Sequence, residues 1–200
     1  GDDWRARPRQ GARQGAIALP RAPIRRAHSR FNKFADIIFK PLVVISSLIL
    51  IVGLFLVYFS PLDYQQGLTV KIMYVHVPSA WLALLTYAIM TIYSIIGLAF
   101  KIPFSFVINK AIAPIGAVFT LLCLISGSMW GKPMWGTWWV WDARLTSVAI
   151  LFIVYLLIIF LNQTFENRDV REKTIAIFIL IGSINLPIIK FSVDWWNTLH

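Results

Sequence analysis

Five apolar stretches, at about 42–59, 79–99, 111–129, 145–161 and 174–190, recur along this chain of 200 residues. Each is long enough to cross roughly 30 Å of hydrocarbon at about 1.5 Å per helical residue. A backbone enters lipid only with its N–H and C=O groups paired within the segment, so stretches of this kind must be helices. The first holds fourteen Leu, Ile, Val or Phe residues in eighteen, and at roughly −0.4 kcal/mol each its insertion is favoured by several kcal/mol. Composition agrees: 58% hydrophobic, 14% charged and a mean hydropathy of +0.70 lie far from a water-soluble domain, where about 25% of residues are charged. The expected fold is all-α, a polytopic integral membrane protein with five transmembrane helices. No span carries an ionisable side chain near its centre and none holds a histidine, which argues against a proton relay or ion pathway. Lys190 lies at one end of the last span, where Asn185 and Pro187 should disturb the helix locally.

The lone cysteine, Cys123, sits inside an apolar run. That excludes an internal disulfide, a CxxC redox pair and a CxxCH haem attachment. No P-loop or GxGxxG turn is present, so ATP hydrolysis and dinucleotide redox chemistry have no home, and nucleic acid is not an expected partner.

Residues 1–35 are rich in Arg, Pro, Ala, Gln and Gly and carry most of the ten basic residues between Arg5 and Lys40. This tail cannot bury a core, and is read as a disordered basic arm ahead of a membrane domain over 36–200. His28, among its arginines, reads as a solvated tail residue. An acid-poor, Arg-rich N-terminus also fits an organellar transit peptide, although Ser29 is its only serine within the first 30 residues. With the tail inside, the inner face collects its ten basic residues together with Lys101, Lys110, Arg168, Arg171 and Lys173, against Lys71, Lys132, Arg144 and Lys190 outside. Fifteen against four places the loops at about 60–78, 130–144 and 191–200 on the outer face.

Those loops hold the informative chemistry. The segment Trp130 to Arg144 packs five of nine tryptophans into twelve residues: Trp130, Trp135, Trp138, Trp139 and Trp141. One or two would be membrane-interface anchors, whose rings sit at the headgroups. Five, punctuated by Gly131, Pro133 and Gly136, exceed what anchoring needs and suit a flat, apolar, conjugated ligand at the membrane face. Asp142 is placed to N-cap the fourth span. Arg144 and Lys132 either snorkel to the headgroups or bind anionic edges of such a ligand. His76 closes the first outer loop just before Pro78, and His200 is the final residue, after Trp195 and Trp196. A lone interfacial histidine is ordinarily a hydrogen-bonded surface residue. Two on one side suit a bis-imidazole pair above and below a porphyrin iron, whereas zinc would want three or four ligands.

Trp135-Gly-Thr-Trp-Trp-Val-Trp-Asp-Ala-Arg-Leu-Thr146, Tyr74-Val-His76-Val-Pro78 and Phe191-Ser-Val-Asp-Trp-Trp-Asn-Thr-Leu-His200 together resemble the WWD-domain haem-handling family. Within it they are similar to the haem exporter protein C group of cytochrome c maturation. The resemblance runs from about Phe34 to the C-terminus. It implies a protein of the bacterial inner membrane, or alternatively the mitochondrial inner membrane, with its N-terminus cytoplasmic and its tryptophan loop periplasmic. Such a protein holds haem b non-covalently as cargo and presents it to a haem chaperone for transfer to apocytochrome c. The implied partners are that chaperone, the subunits of an ABC transporter and a small single-span membrane protein. His76 and His200 would be the axial ligands, and Trp135 to Trp141 with Asp142 would hold the porphyrin. The family has six spans, so the resemblance also implies that the sixth is missing here. It implies a cofactor-handling protein rather than an enzyme. Two rival readings are a bis-His electron-transfer membrane subunit, which expects histidines inside the helices, and a structural assembly subunit without haem.

Overall fold

The computed structural model describes the backbone of residues 21–195 and the side chains of residues 35–192, 194 and 195. His200, Trp196 and residues 1–20 lie outside the described residues, as does the side chain of His28. The described residues form six helices: α1 (Arg21–Phe59), α2 (Val70–Phe100), α3 (Pro103–Trp135), α4 (Ala143–Thr164), α5 (Arg168–Gly182) and α6 (Asn185–Trp195). They hold no strand. Five segments are long and apolar enough to cross a membrane: Ala35–Phe59, Val70–Phe100, Pro103–Trp135, Ala143–Thr164 and Arg168–Ser192. The chain is therefore an all-helical membrane protein, with the five spans expected.

Two compact units divide at Leu56. The first is α1 up to that residue. Its helix is described from Arg21 to Phe59. Pro20 precedes it and Pro23 falls in its first turn, where the missing N–H is no loss. The side chains from Ala35 to Leu56 are exposed apart from a half-buried Gly53, as suits a helix whose whole girth is apolar.

The second unit contains α2 to α6. α2 and α3 pack along one another as an antiparallel pair. They are joined by a two-residue turn in which Lys101 adopts φ 53° and Pro103 opens α3. α4 packs on α3, and α5 and α6 return along α2 and α4. The core is centred on Tyr87, Met90, Leu151, Tyr155, Ile158 and Ile179. Tyr87 and Tyr155 meet edge to face with ring centroids 5.3 Å apart. Each ring lies where another helix lacks a side chain, since a Cβ on Gly116 would overlap Tyr155 and one on Gly182 would overlap the Tyr87 hydroxyl. Those hydroxyls donate to backbone carbonyls, Tyr87 to Ile179 at 3.1 Å and Tyr155 to Ala83 at 2.8 Å, so neither polar tip is left unpaired in an apolar interior.

The disturbance expected at Asn185 and Pro187 is present. The last span is two helices, broken at Ser183 and Ile184. Pro187 cannot bond the carbonyl of Ser183, which accepts instead from the Leu186 N–H at 3.1 Å. Asn185 Nδ2 donates across to the Ser147 carbonyl at 2.8 Å, fixing the start of α6 on α4.

Candidate functional site

Two of the expected boundaries shift, and the shifts build the site. α2 starts at Val70 rather than near Ser79, so His76 stands in its second turn and Pro78 is inside the helix. The expectation that no span holds a histidine is thus corrected: His76 belongs to the Val70–Phe100 span, at one end. α3 runs through Pro133 to Trp135, so Trp130 and Trp135 are helical rather than in a loop. Gly and Pro are turn signals in water, but a membrane helix tolerates both. The irregular segment is only 136–142. It opens with Gly136 at φ 78°, a left-handed conformation that a residue with a Cβ resists, and closes with Asp142, whose Oδ1 accepts from the Leu145 N–H at 2.7 Å. Asp142 is the N-cap of α4, as expected.

The 60–69 loop and the tryptophan segment share one end of the helix bundle. Trp130 Nε1 donates to Gln66 Oε1 at 2.9 Å, and Thr69 Oγ1 lies 3.6 Å from Met134 Sδ. Asp63 shapes the loop by accepting from the Gln65 and Gln66 N–H groups at 2.9 and 2.8 Å. Ser128 Oγ donates to the Trp138 carbonyl at 2.6 Å, tying the irregular segment back onto α3.

A cavity of about 380 Å³ opens at this end, between α2, α3, α4 and α6. Its walls include His76 and Trp81 from α2, Trp130, Trp135 and Trp139, Arg144 from α4 and Lys190 from α6. Trp130 and Trp135 pack edge to face at 5.2 Å between centroids, as do Trp139 and Trp141 at 5.6 Å. The five tryptophans therefore do not make one flat platform. Trp138 is 57% and Trp141 82% exposed, and neither lines the cavity. Lys132 Nζ sits 6.0 Å from the Trp138 ring centroid and donates to the Gly136 carbonyl at 3.0 Å, so it serves the turn. Trp139 carries a buried indole N–H with no acceptor among the described residues, an arrangement that costs free energy.

Among the residues expected at the site, then, His76, Trp130, Trp135, Trp139 and Arg144 meet around one cavity. Asp142 lies beside them as a cap, and Trp138 and Trp141 face outward. Two wall residues escaped the sequence reading. Lys190 Nζ stands 5.6 Å from the Trp81 ring centroid, a cation–π pair at the cavity. Trp81 falls within the second expected span and Lys190 at the end of the last; only the return of the last span along α2 and α4 brings them together.

His76 is held by α3. Its Nδ1 lies 3.0 Å from the Cys123 carbonyl and 3.1 Å from Ser126 Oγ. Both helices lead away from the Lys101–Ile102 turn, and His76 and Gly127 stand equally far from it, so their close approach follows from the antiparallel pairing. A Cβ on Gly127 would come within 2.9 Å of His76 Cε1.

The fold and site together define a class: a helical membrane protein carrying, at one end of its bundle, a tryptophan-walled cavity that joins an imidazole to two cationic side chains. The family model "Heme exporter protein C" matches residues 25–200. The chain belongs to that family. It is 53% identical over 153 residues to "Heme exporter protein C" of Bradyrhizobium diazoefficiens, covering 76% of this chain and 58% of that protein. The Escherichia coli K12 protein of the same name is 51% identical over 142 residues, covering 71% and 58%. A cytochrome c biosynthesis ccmC-like mitochondrial protein of Marchantia polymorpha is 52% identical over 144 residues, covering 72% and 60%. The chain thus spans somewhat under two thirds of the length of these curated relatives.

Proposed function

We propose that this protein binds haem, non-covalently and as cargo, in the cavity between α2, α3, α4 and α6, on the outer face of the membrane, and hands it on for cytochrome c maturation. The observation that carries the reading is the joining in one cavity of an imidazole, four indoles and two cations. Each matches one part of the molecule. His76 offers a neutral nitrogen to iron. Trp130, Trp135 and Trp139 bury the apolar macrocycle. Arg144 and Lys190 pair with the two propionates, Arg through a planar fork and Lys as a point charge. His200 supplies the second axial imidazole, and Asp142 acts by capping the helix that carries Arg144.

The recipient is a membrane-anchored haem chaperone, and the protein works beside ABC transporter subunits and a small single-span membrane protein. It lies in the bacterial inner membrane with its N-terminus cytoplasmic, handling haem without chemical turnover. The names of the relatives support this reading, as does the basic bias that puts the tryptophan segment outside.

The test is the absorption spectrum of the full-length protein loaded with haem. Two imidazoles fill both axial positions, so the iron is expected to be low-spin and six-coordinate. His76→Ala or His200→Ala shifts it toward high spin, and added imidazole restores the low-spin form. A low-spin spectrum unchanged in the double variant would overturn the proposal.

A further inference from the structure

The contacts of His76 fix more than its position. The Cys123 carbonyl can only accept, so the His76 nitrogen 3.0 Å from it must carry the proton. Ser126 points the same way. Its hydroxyl lies 2.6 Å from the Leu122 carbonyl, to which it donates. The oxygen that faces Nδ1 at 3.1 Å therefore accepts. With Nδ1–H shared between two acceptors, the lone pair of the neutral ring resides on Nε2. The plane of the ring is set as well, because His76 Cε1, the carbon between the two nitrogens, packs where Gly127 has no side chain. A Cβ there would lie 2.9 Å from Cε1 and 3.3 Å from Nδ1. Cys123, Ser126 and Gly127 occupy one face of α3, at the three- and four-residue spacing that makes helix neighbours.

Resting on the haem reading above, we propose that Ser126, Gly127 and the backbone carbonyl of Cys123 form a seat on α3 that locks His76 in the Nδ1–H tautomer and so presents Nε2 to the iron of the cargo. All three are positioning residues; none touches haem. The seat does two jobs. It removes the rotational and tautomeric freedom that an imidazole would otherwise lose on binding. It also makes the ligand more basic, because a hydrogen bond from the distal N–H pushes charge toward the ligating nitrogen, and a more basic imidazole favours ferric over ferrous iron.

The tautomer is read first, in the full-length protein without haem, by 15N NMR of labelled histidine in lipid, with His76→Gln identifying the His76 signals. The expected result is a neutral ring protonated on Nδ1. A ring protonated on Nε2 overturns the proposal whether or not haem binds. In the haem-loaded protein, Ser126→Ala removes one acceptor, and ferric-haem affinity falls roughly tenfold, the low end for loss of such a support. The iron midpoint potential moves upward, and Ser126→Thr, which keeps the hydroxyl, restores both. Gly127→Ala drives a methyl against the ring and converts part of the low-spin iron to high spin, reversed by added imidazole. If His76→Ala alters the spectrum while Ser126→Ala and Gly127→Ala leave affinity, potential and spin state unchanged, the seat is wrong and the haem site stands. If His76→Ala also changes nothing, both fall.

Discussion

Tryptophans that look alike in sequence do different work. Trp139 lines the cavity with a buried, unsatisfied N–H, whereas Trp141, two residues on, is 82% exposed. Trp139→Ala should therefore lower haem affinity about tenfold, since losing a stacked ring costs on the order of 1.4 kcal/mol. Trp141→Ala should change it less than about twofold, and titration of haem into purified variants reads both. Trp139→Phe separates area from polarity: it keeps most of the stacking surface and loses the indole N–H. A Trp141→Ala loss as large as that of Trp139→Ala would mean the cargo lies outside the cavity. The sequence made this segment conspicuous but could not sort its members. Five tryptophans within twelve residues announce an aromatic site, yet which of them face inward depends on where α3 stops. That in turn depends on Pro133 being carried inside a helix.

At the scale of the element, α4 starts from Asp142, and its cap fixes the turn that carries Arg144. Asp142→Ala should destabilise the protein by about 1 kcal/mol, the usual cost of losing an N-cap, with a lowered thermal midpoint in detergent and a modest loss of haem affinity through Arg144. Asp142→Asn keeps the cap and should keep both properties. Loss of binding without loss of stability in that variant would instead give the carboxylate direct contact with cargo. Spans and caps were legible because hydropathy and capping are local: all five spans and the Asp142 cap follow from short windows. Helix ends within the outer segments were not, since Pro78 and Pro133 read as breaks. In α2 and α3 the packing of neighbouring helices carries the backbone through both. Pro187 shows the opposite outcome, because Ser183 finds a closer partner in Leu186 and the helix divides there.

For the whole molecule, the bonds from Trp130 to Gln66 and from Ser128 to the Trp138 carbonyl put loop 60–69 and the tryptophan segment at one end of the helices, while Glu166 lies in the turn between α4 and α5. Combined with the basic bias, this makes the proposed orientation testable. Cysteines replacing Tyr64 and Trp141, both strongly exposed, should label with an impermeant thiol reagent in intact cells, and one at Glu166 should not, in a Cys123→Ser background. Labelling at Glu166 alone would invert the orientation and place the cavity on the wrong side for the proposed handover. The choice of background draws on the way His76 is anchored. Position 123 contributes a main-chain oxygen, which every amino acid possesses, so no side-chain replacement can delete it. A systematic alanine scan along α3 would register Ser126 and Gly127 and pass silently over their equal partner. The most dependable of the three contacts is the one that alanine scanning cannot isolate.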